Sequence, residues 1–175
     1  MDSPSRFSRL YRQALPENFE EGALACRMLR EADYEGLLHE VQTQGGLCHG
    51  DLAPNNSLIH GPEAYLLDMD RACVDVFPFD LAMLVRRAMA GGGWQPRLAM
   101  VLIEGYQRYR QLSRREMRVL AALLHWPQAF WWLGHQYFAE QLDRPERFFL
   151  SRLWHWEREA QARRAFLAFC RANLC

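Results

Sequence analysis

The sequence predicts an α+β domain that is mostly α, with one short β-hairpin set among helices. Two observations predict it. Apolar residues recur near a period of 3.6 along most of the chain, and around 57–67 they instead bunch on either side of a Gly61-Pro62 turn. Half of the 175 residues are hydrophobic, enough for one compact core, so residues 1–175 are read as a single domain.

The elements follow in order. Pro16-Glu17-Asn18 opens a helix with acidic residues in its first turn, and Phe19, Ala23, Cys26 and Met28-Leu29 recur at helical spacing. Residues 1–15, ahead of it, are a candidate disordered segment. Asp33 is the N-cap of a second helix through Leu37, Leu38 and Val41, which Gly45-Gly46 ends. Leu47-Cys48 reads as a short strand, and Ser57–His60 and Ala64–Leu67 pair as the hairpin. A helix starts at Asp80 and runs to Gly91-Gly92-Gly93, Pro96 sits near the first turn of the next, and Ser113-Arg114-Arg115-Glu116 is a capping box. Pro127 interrupts that third helix before Phe130-Trp131-Trp132, and a last helix covers about 152–172. The loop from Arg71 to Pro78 is long enough for an activation segment.

Chemistry concentrates between the second helix and the hairpin. His49-Gly50-Asp51-Leu52-Ala53-Pro54-Asn55-Asn56 is followed, beyond the hairpin, by Leu66-Leu67-Asp68-Met69-Asp70. A carboxylate, an amide five positions later and a second carboxylate closing an apolar run have the spacing used in phosphoryl transfer. Asp51 can orient an attacking hydroxyl, and Asn56 and Asp68 are hard oxygen ligands for Mg²⁺. A lone loop aspartate is usually a solvated turn residue; the joint spacing is what favours chemistry. His49 could act as a base, but in such a loop it is expected to pack and bond the backbone, as structural support. Asp70 would touch a second ion or bond the loop, and Asp80 would cap its helix and steady the loop. His60, His125, His135 and His155 lack ligand spacing. Trp126, Trp131, Trp132, Trp154 and Trp156 suit a core, with acceptor stacking and an interface as the alternatives.

These motifs resemble the aminoglycoside phosphotransferase-like small-molecule kinases. GGLCHGDLAPNNSLI, YLLDMDRACVD, FDLAMLVRR and HWPQAFWWL look more narrowly like the spore-coat kinase-like branch of that protein-kinase-like superfamily. The resemblance runs from about Phe19 to about Trp156. It implies a kinase-like C-terminal lobe, ATP and Mg²⁺ as cofactors and a small-molecule hydroxyl acceptor. Such kinases also carry an N-terminal lobe whose lysine pairs with the nucleotide phosphates. Here all 21 basic residues are arginine, a poor stand-in because its planar fork demands different geometry. Only 48 residues precede His49, and the glycine run lies downstream of Asp68, so neither sheet nor phosphate loop is expected. The chain therefore reads as a C-lobe with the N-lobe absent: a fragment, a truncated gene product or half of a split protein.

Composition bounds the partners. A formal net charge of zero gives no electrostatic reason to expect nucleic acid or an anionic membrane. No apolar run approaches the roughly 20 residues of a span, and MDSPSRFSRL lacks a signal sequence's hydrophobic region, so a cytoplasmic location is expected, with the spore coat as the variant the resemblance adds. Five cysteines without C-x-x-C pairing indicate neither disulfides nor zinc. An uncovered cleft floor implies an N-lobe-supplying polypeptide or a homodimer. Two functions stand: a phosphotransferase lobe inactive by itself, or a non-catalytic kinase-derived binding or spore-coat structural protein.

Overall fold

A computed structural model describes residues 4–175, and among them eight α-helices and one hairpin give the mostly helical α+β fold. Helices α1 (Arg6–Glu31) and α2 (Tyr34–Gln44) precede strands β1 (Ser57–His60) and β2 (Glu63–Leu66). Then come α3 (Pro78–Gly92), α4 (Pro96–Gln107), α5 (Arg114–His125), α6 (Gln128–Phe138), α7 (Glu146–Arg158) and α8 (Ala160–Leu174).

Where the start and stop signals are local, they act as their chemistry dictates. Asp33 accepts the Gly36 amide at 3.3 Å to open α2, and Gly45, at φ +73°, closes it. Ser113 and Glu116 complete the reciprocal capping box of α5. Pro78 and Pro96 occupy first-turn positions of α3 and α4, where a missing amide hydrogen is harmless. Pro127 separates α5 from α6. The hairpin pairs Ser57 with Leu66 and His60 with Glu63, one residue earlier at each end of the second strand than the apolar pattern suggests.

Other expectations need correction. Helix α1 begins at Arg6, capped by Ser5, so residues 6–15 are helical rather than disordered, and Pro16 lies inside the helix; residues 1–3 fall outside the described part. The buried stripe of α1 is also one residue out from Phe19, Ala23 and Cys26: it runs through Phe7, Tyr11, Asn18, Gly22 and Ala25, while Phe19 is 63% exposed. Asn18 hides the pattern because its amide is satisfied inside, donating to the Ala14 carbonyl and accepting the Trp156 indole N–H at 2.9 Å. Gly22 hides it because Trp126 packs directly against its backbone. Leu47-Cys48 makes no strand, only a single antiparallel bridge from Cys48 to Cys73. The last helix is two, broken at Glu159, where Trp94 donates its indole N–H to the Glu159 carboxylate and Arg163 bonds the Trp156 carbonyl.

That break lets α7 and α8 serve different cores. Helix α5 is central, with α1, α3 and α8 packed around it and Val119, Leu120, Ala121 and Ala122 wholly buried. Its small alanines allow close approach. Leu81, Val85, Met89, Ile103 and Phe166 fill the space among α3, α4, α5 and α8. A second, aromatic core joins α1, α6 and α7, where the Tyr11 and Phe130 rings stack 4.3 Å apart and Phe7 lies 4.4 Å from Tyr137 and 5.6 Å from Phe149. Among the described residues no helix is long and apolar enough to cross a membrane.

Phe7→Ala should destabilise the protein by about 3–5 kcal/mol, since it empties a fully buried aromatic site, whereas Phe19→Ala should change stability by about 0.5 kcal/mol or less. Urea unfolding of both variants checks the pair, and equal losses would contradict the packing of α1.

Candidate functional site

The loop from His49 to Asn56 is fixed from three sides. Both carboxylate oxygens of Asp80, in the first turn of α3, accept loop amides: His49 N–H at 2.6 Å and Gly50 N–H at 3.0 Å. Asp80 makes no cap of α3, contrary to the first of its two expected tasks. His49 is buried; its Nδ1 accepts the Asp51 amide at 3.3 Å and its Nε2 lies 2.9 Å from the Leu67 carbonyl. Both bonds form together only with the proton on Nε2, which leaves no free lone pair on His49 for a base. Below the loop, Cys48 and Cys73 exchange backbone bonds of 2.8 and 3.0 Å. Gly50 touches that neighbouring segment so closely that a Cβ would lie 2.0 Å from the Arg71 carbonyl, and its φ is +77°.

The predicted site residues gather around this loop. Asn56 is buried, donates to the Asp51 carbonyl at 2.9 Å, approaches the Asp51 carboxylate at 3.5 Å and accepts from the Asn55 amide at 3.0 Å. The Leu67 amide donates to the Asn56 carbonyl at 2.9 Å, and so brings Asp68, one residue on, beside Asn56. Asp68 has φ +62° and introduces a single 3₁₀ turn at Met69–Arg71. Neither Asp68 nor Asp70 makes a side-chain hydrogen bond or ion pair among the described residues, so Asp70 does not brace the loop. Asn56 Oδ1 and Asp68 are the oxygens available to a divalent cation; no group of three or more His, Cys, Asp or Glu is arranged for a metal among the described residues. The 71–78 segment is pinned rather than free: Asp75 accepts the Tyr34 hydroxyl at 2.6 Å and Val76 is fully buried.

Sequence reasoning missed Arg87, whose guanidinium forms an ion pair with the Asp51 carboxylate. A signal existed: Asp80 and Arg87 are seven residues apart on α3, two helical turns, so both face the loop. Asp51 opens onto a cleft of about 1100 Å³ between α3 and the α5–α7 region, lined in part by Trp126, Trp132 and Trp156. Trp131 and Trp154 are not in its wall. Arg86 projects into it, donating to the Leu123 carbonyl near the C-terminus of α5 at 2.5 Å, and burial lowers its pKa to about 10. Of the histidines, His125 is buried with Nδ1 against the Ala121 carbonyl, and burial lowers its pKa. The Cys48 thiol, first through burial and then through nearby Asp80 and Asp75, is pushed up to about 12, so no reactive thiolate stands at the loop.

The family model of the phosphotransferase enzyme family matches residues 4–123, more than half of the sequence. The chain belongs to that family. Spore coat protein S of Bacillus subtilis is 24% identical over 136 residues, 77% of this chain and 39% of that protein. Homoserine kinases of Rhizobium etli and Rhizobium rhizogenes are 27% and 29% identical over 139 residues, each match covering 78% of this chain and 38% of the relative. The chain thus spans about two fifths of the length of these curated relatives. A crystal structure of an aminoglycoside phosphotransferase from Alicyclobacillus acidocaldarius superposes with a TM-score of 0.85 at 24% identity, covering 99% of this chain and 52% of that one. The kinase-like fold and the superfamily expected from the motifs are therefore observed.

Gly50→Ala should cost about 2 kcal/mol or more, because the new methyl meets the Arg71 carbonyl in a backbone region where L-residues are strained. Hydrogen exchange should quicken together at residues 48–52 and 69–73. Unchanged stability and exchange would refute the close approach of these segments.

Proposed function

We propose that this chain forms the acceptor- and metal-binding lobe of a small-molecule phosphotransferase that passes the γ-phosphoryl group of ATP to a hydroxyl once a lysine-bearing lobe completes the nucleotide site. The observation that carries this reading is the single loop that sets Asp51 at the mouth of a large cleft, with Asn56 bonded to the Asp51 backbone and Asp68 drawn alongside through Leu67. Asp51 receives the acceptor hydroxyl. As the hydroxyl oxygen bonds the γ-phosphorus, the bridging P–O bond breaks, ADP leaves with the electron pair and the proton passes to Asp51. Before that, Arg87 must release the carboxylate it pairs with.

Asn56 and Asp68 fit Mg²⁺. Asn56 Oδ1 accepts one hydrogen bond and keeps a lone pair, and the Asp68 carboxylate is unengaged among the described residues. Bound there, Mg²⁺ would neutralise charge on the nucleotide phosphates; Asp70, two residues on, is the candidate for a second ion. Leu58, Ile59, Leu66 and Leu67 of the hairpin region are each about half exposed or more, an apolar face that a separate lobe or a second copy of this chain would cover.

The second reading is a non-catalytic binding or spore-coat structural protein. Arg87 on Asp51 and a sequence without lysine favour it, as does the likeness to spore coat protein S. A cytoplasmic site of action suits the first reading and the spore coat the second.

Two protein oxygens leave an octahedral ion incomplete, so calorimetric titration should give Mg²⁺ binding of about millimolar strength or weaker, abolished in Asp68→Ala. Micromolar binding that survives Asp68→Ala would remove the site. With radiolabelled ATP and Mg²⁺ the chain alone should transfer nothing to sugars, amino alcohols or aminoglycosides, because positioning worth roughly 7–11 kcal/mol is missing. Supplying a lysine-bearing N-lobe in trans or by fusion should restore transfer, and Asp51→Asn should abolish it. An inert two-lobe protein would favour the structural reading.

A further inference from the structure

Seven arginines line the cleft beside Asp51, against three carboxylates, Glu21, Asp51 and Glu159. The chain as a whole balances 21 basic against 21 acidic residues, so this surplus is local and not a matter of composition. Three of the seven are occupied. Arg87 pairs with Asp51, Arg86 holds the Leu123 carbonyl, and Arg163 is buried over the Trp156 ring, 3.4 Å from its centroid, and bonded to the Trp156 carbonyl.

The other four, Arg71, Arg144, Arg147 and Arg152, are exposed and form no ion pair or side-chain hydrogen bond among the described residues. They reach one cleft from three places: the turn after Asp68, the segment before α7, and α7 itself. Aromatic faces hold three of them, Arg71 lying 5.7 Å from the Trp132 centroid and Arg144 and Arg152 lying 5.8 and 4.7 Å from that of Phe148. Like charges in excess along a concave wall repel one another and focus a positive field into the cavity. A guanidinium offers paired N–H donors that match phosphate oxygens, and four of them suit a dianion.

We propose that the acceptor is a sugar phosphate: its phosphate is taken by Arg71, Arg144, Arg147 and Arg152, its ring lies along the tryptophan-lined wall, and a free hydroxyl faces Asp51. This rests on the phosphotransferase reading and narrows it, because a polycationic acceptor would meet repulsion in the same wall.

The test is equilibrium binding to the full chain without ATP or Mg²⁺, with ADP added only as a competitor, so it does not depend on turnover. Calorimetry would compare a panel of hexose and pentose phosphates with glucose, glucuronate, inorganic phosphate and the aminoglycoside kanamycin. At least one sugar phosphate should bind about tenfold or more tightly than any of the others, and more weakly as salt is raised. Arg147→Gln combined with Arg152→Gln should erase the preference at an unchanged thermal midpoint, while Arg158→Gln, an exposed arginine of α7 outside the cleft wall, should keep it; Arg71→Gln, on an exposed turn, should lower it if the double variant fails to fold. Four outcomes overturn the proposal: no sugar phosphate above glucose, glucuronate or inorganic phosphate matching the best sugar phosphate, kanamycin binding best, or ADP displacing the sugar phosphate and so claiming the arginines for nucleotide. An intact preference in a two-lobe protein inert toward ATP would sink the transferase reading alone, and transfer by the two-lobe protein without the preference would sink this proposal alone.

Discussion

Asp80 accepts the backbone amides of both His49 and Gly50, and the rest of the candidate site is arranged by what those two bonds hold in place. Each is a charge-assisted bond to an amide, a class worth about 1.5–3 kcal/mol. With the two amides fixed, the His49 ring can reach the Leu67 carbonyl, and the Asp51 amide can reach back to the ring. Leu67 in turn binds Asn56, and Asn56 binds Asp51. The circuit closes on itself, so Asp51, Asn56 and the backbone entering Asp68 cannot shift independently. Because Asp80 sits in the first turn of α3, whose Leu81, Val85 and Met89 are buried in the main core, the stiffness of that core is passed to the loop.

The two cores divide the work. The aliphatic one around α5 anchors α3 and hence the loop, while the aromatic one sets α6 and α7, which carry Trp132, Arg147 and Arg152 into the opposite wall of the cleft. The break at Glu159 is what allows this: α7 stays with the aromatics of α1 and α6, and α8 turns back onto α5.

Legibility in the sequence followed the range of the forces. Asp33, Gly45, Ser113 with Glu116, Pro96 and the Gly61-Pro62 turn each act within four residues, and the elements they mark lie where the sequence places them, within a residue or so. The spacing of Asp51, Asn56 and Asp68 was legible for a related reason, since a hairpin with fixed register converts sequence separation into proximity. Features decided at long range were not. Beyond the Ser5 cap little near Arg6 announces a helix, because Phe7 and Tyr11 are held by rings more than a hundred residues away. Glu159 is a good helix former by itself, and at the break its carboxylate is held by the indole N–H of the distant Trp94. The convergence of Arg71 with Arg144, Arg147 and Arg152 is likewise a product of the fold, although the density of arginine along α7 was visible throughout.

The reach of α1 has a consequence for how the chain comes to be made. Its first turn is closed by Glu146, whose carboxylate accepts the Phe7 amide across 139 residues, and its aromatic face is completed only by α6 and α7. At about 5–20 residues per second on the ribosome, that face leaves the exit tunnel and waits on the order of ten seconds for its partners. Newly made α1 is therefore an amphipathic segment whose aromatic face stays unpartnered until α6 and α7 have emerged.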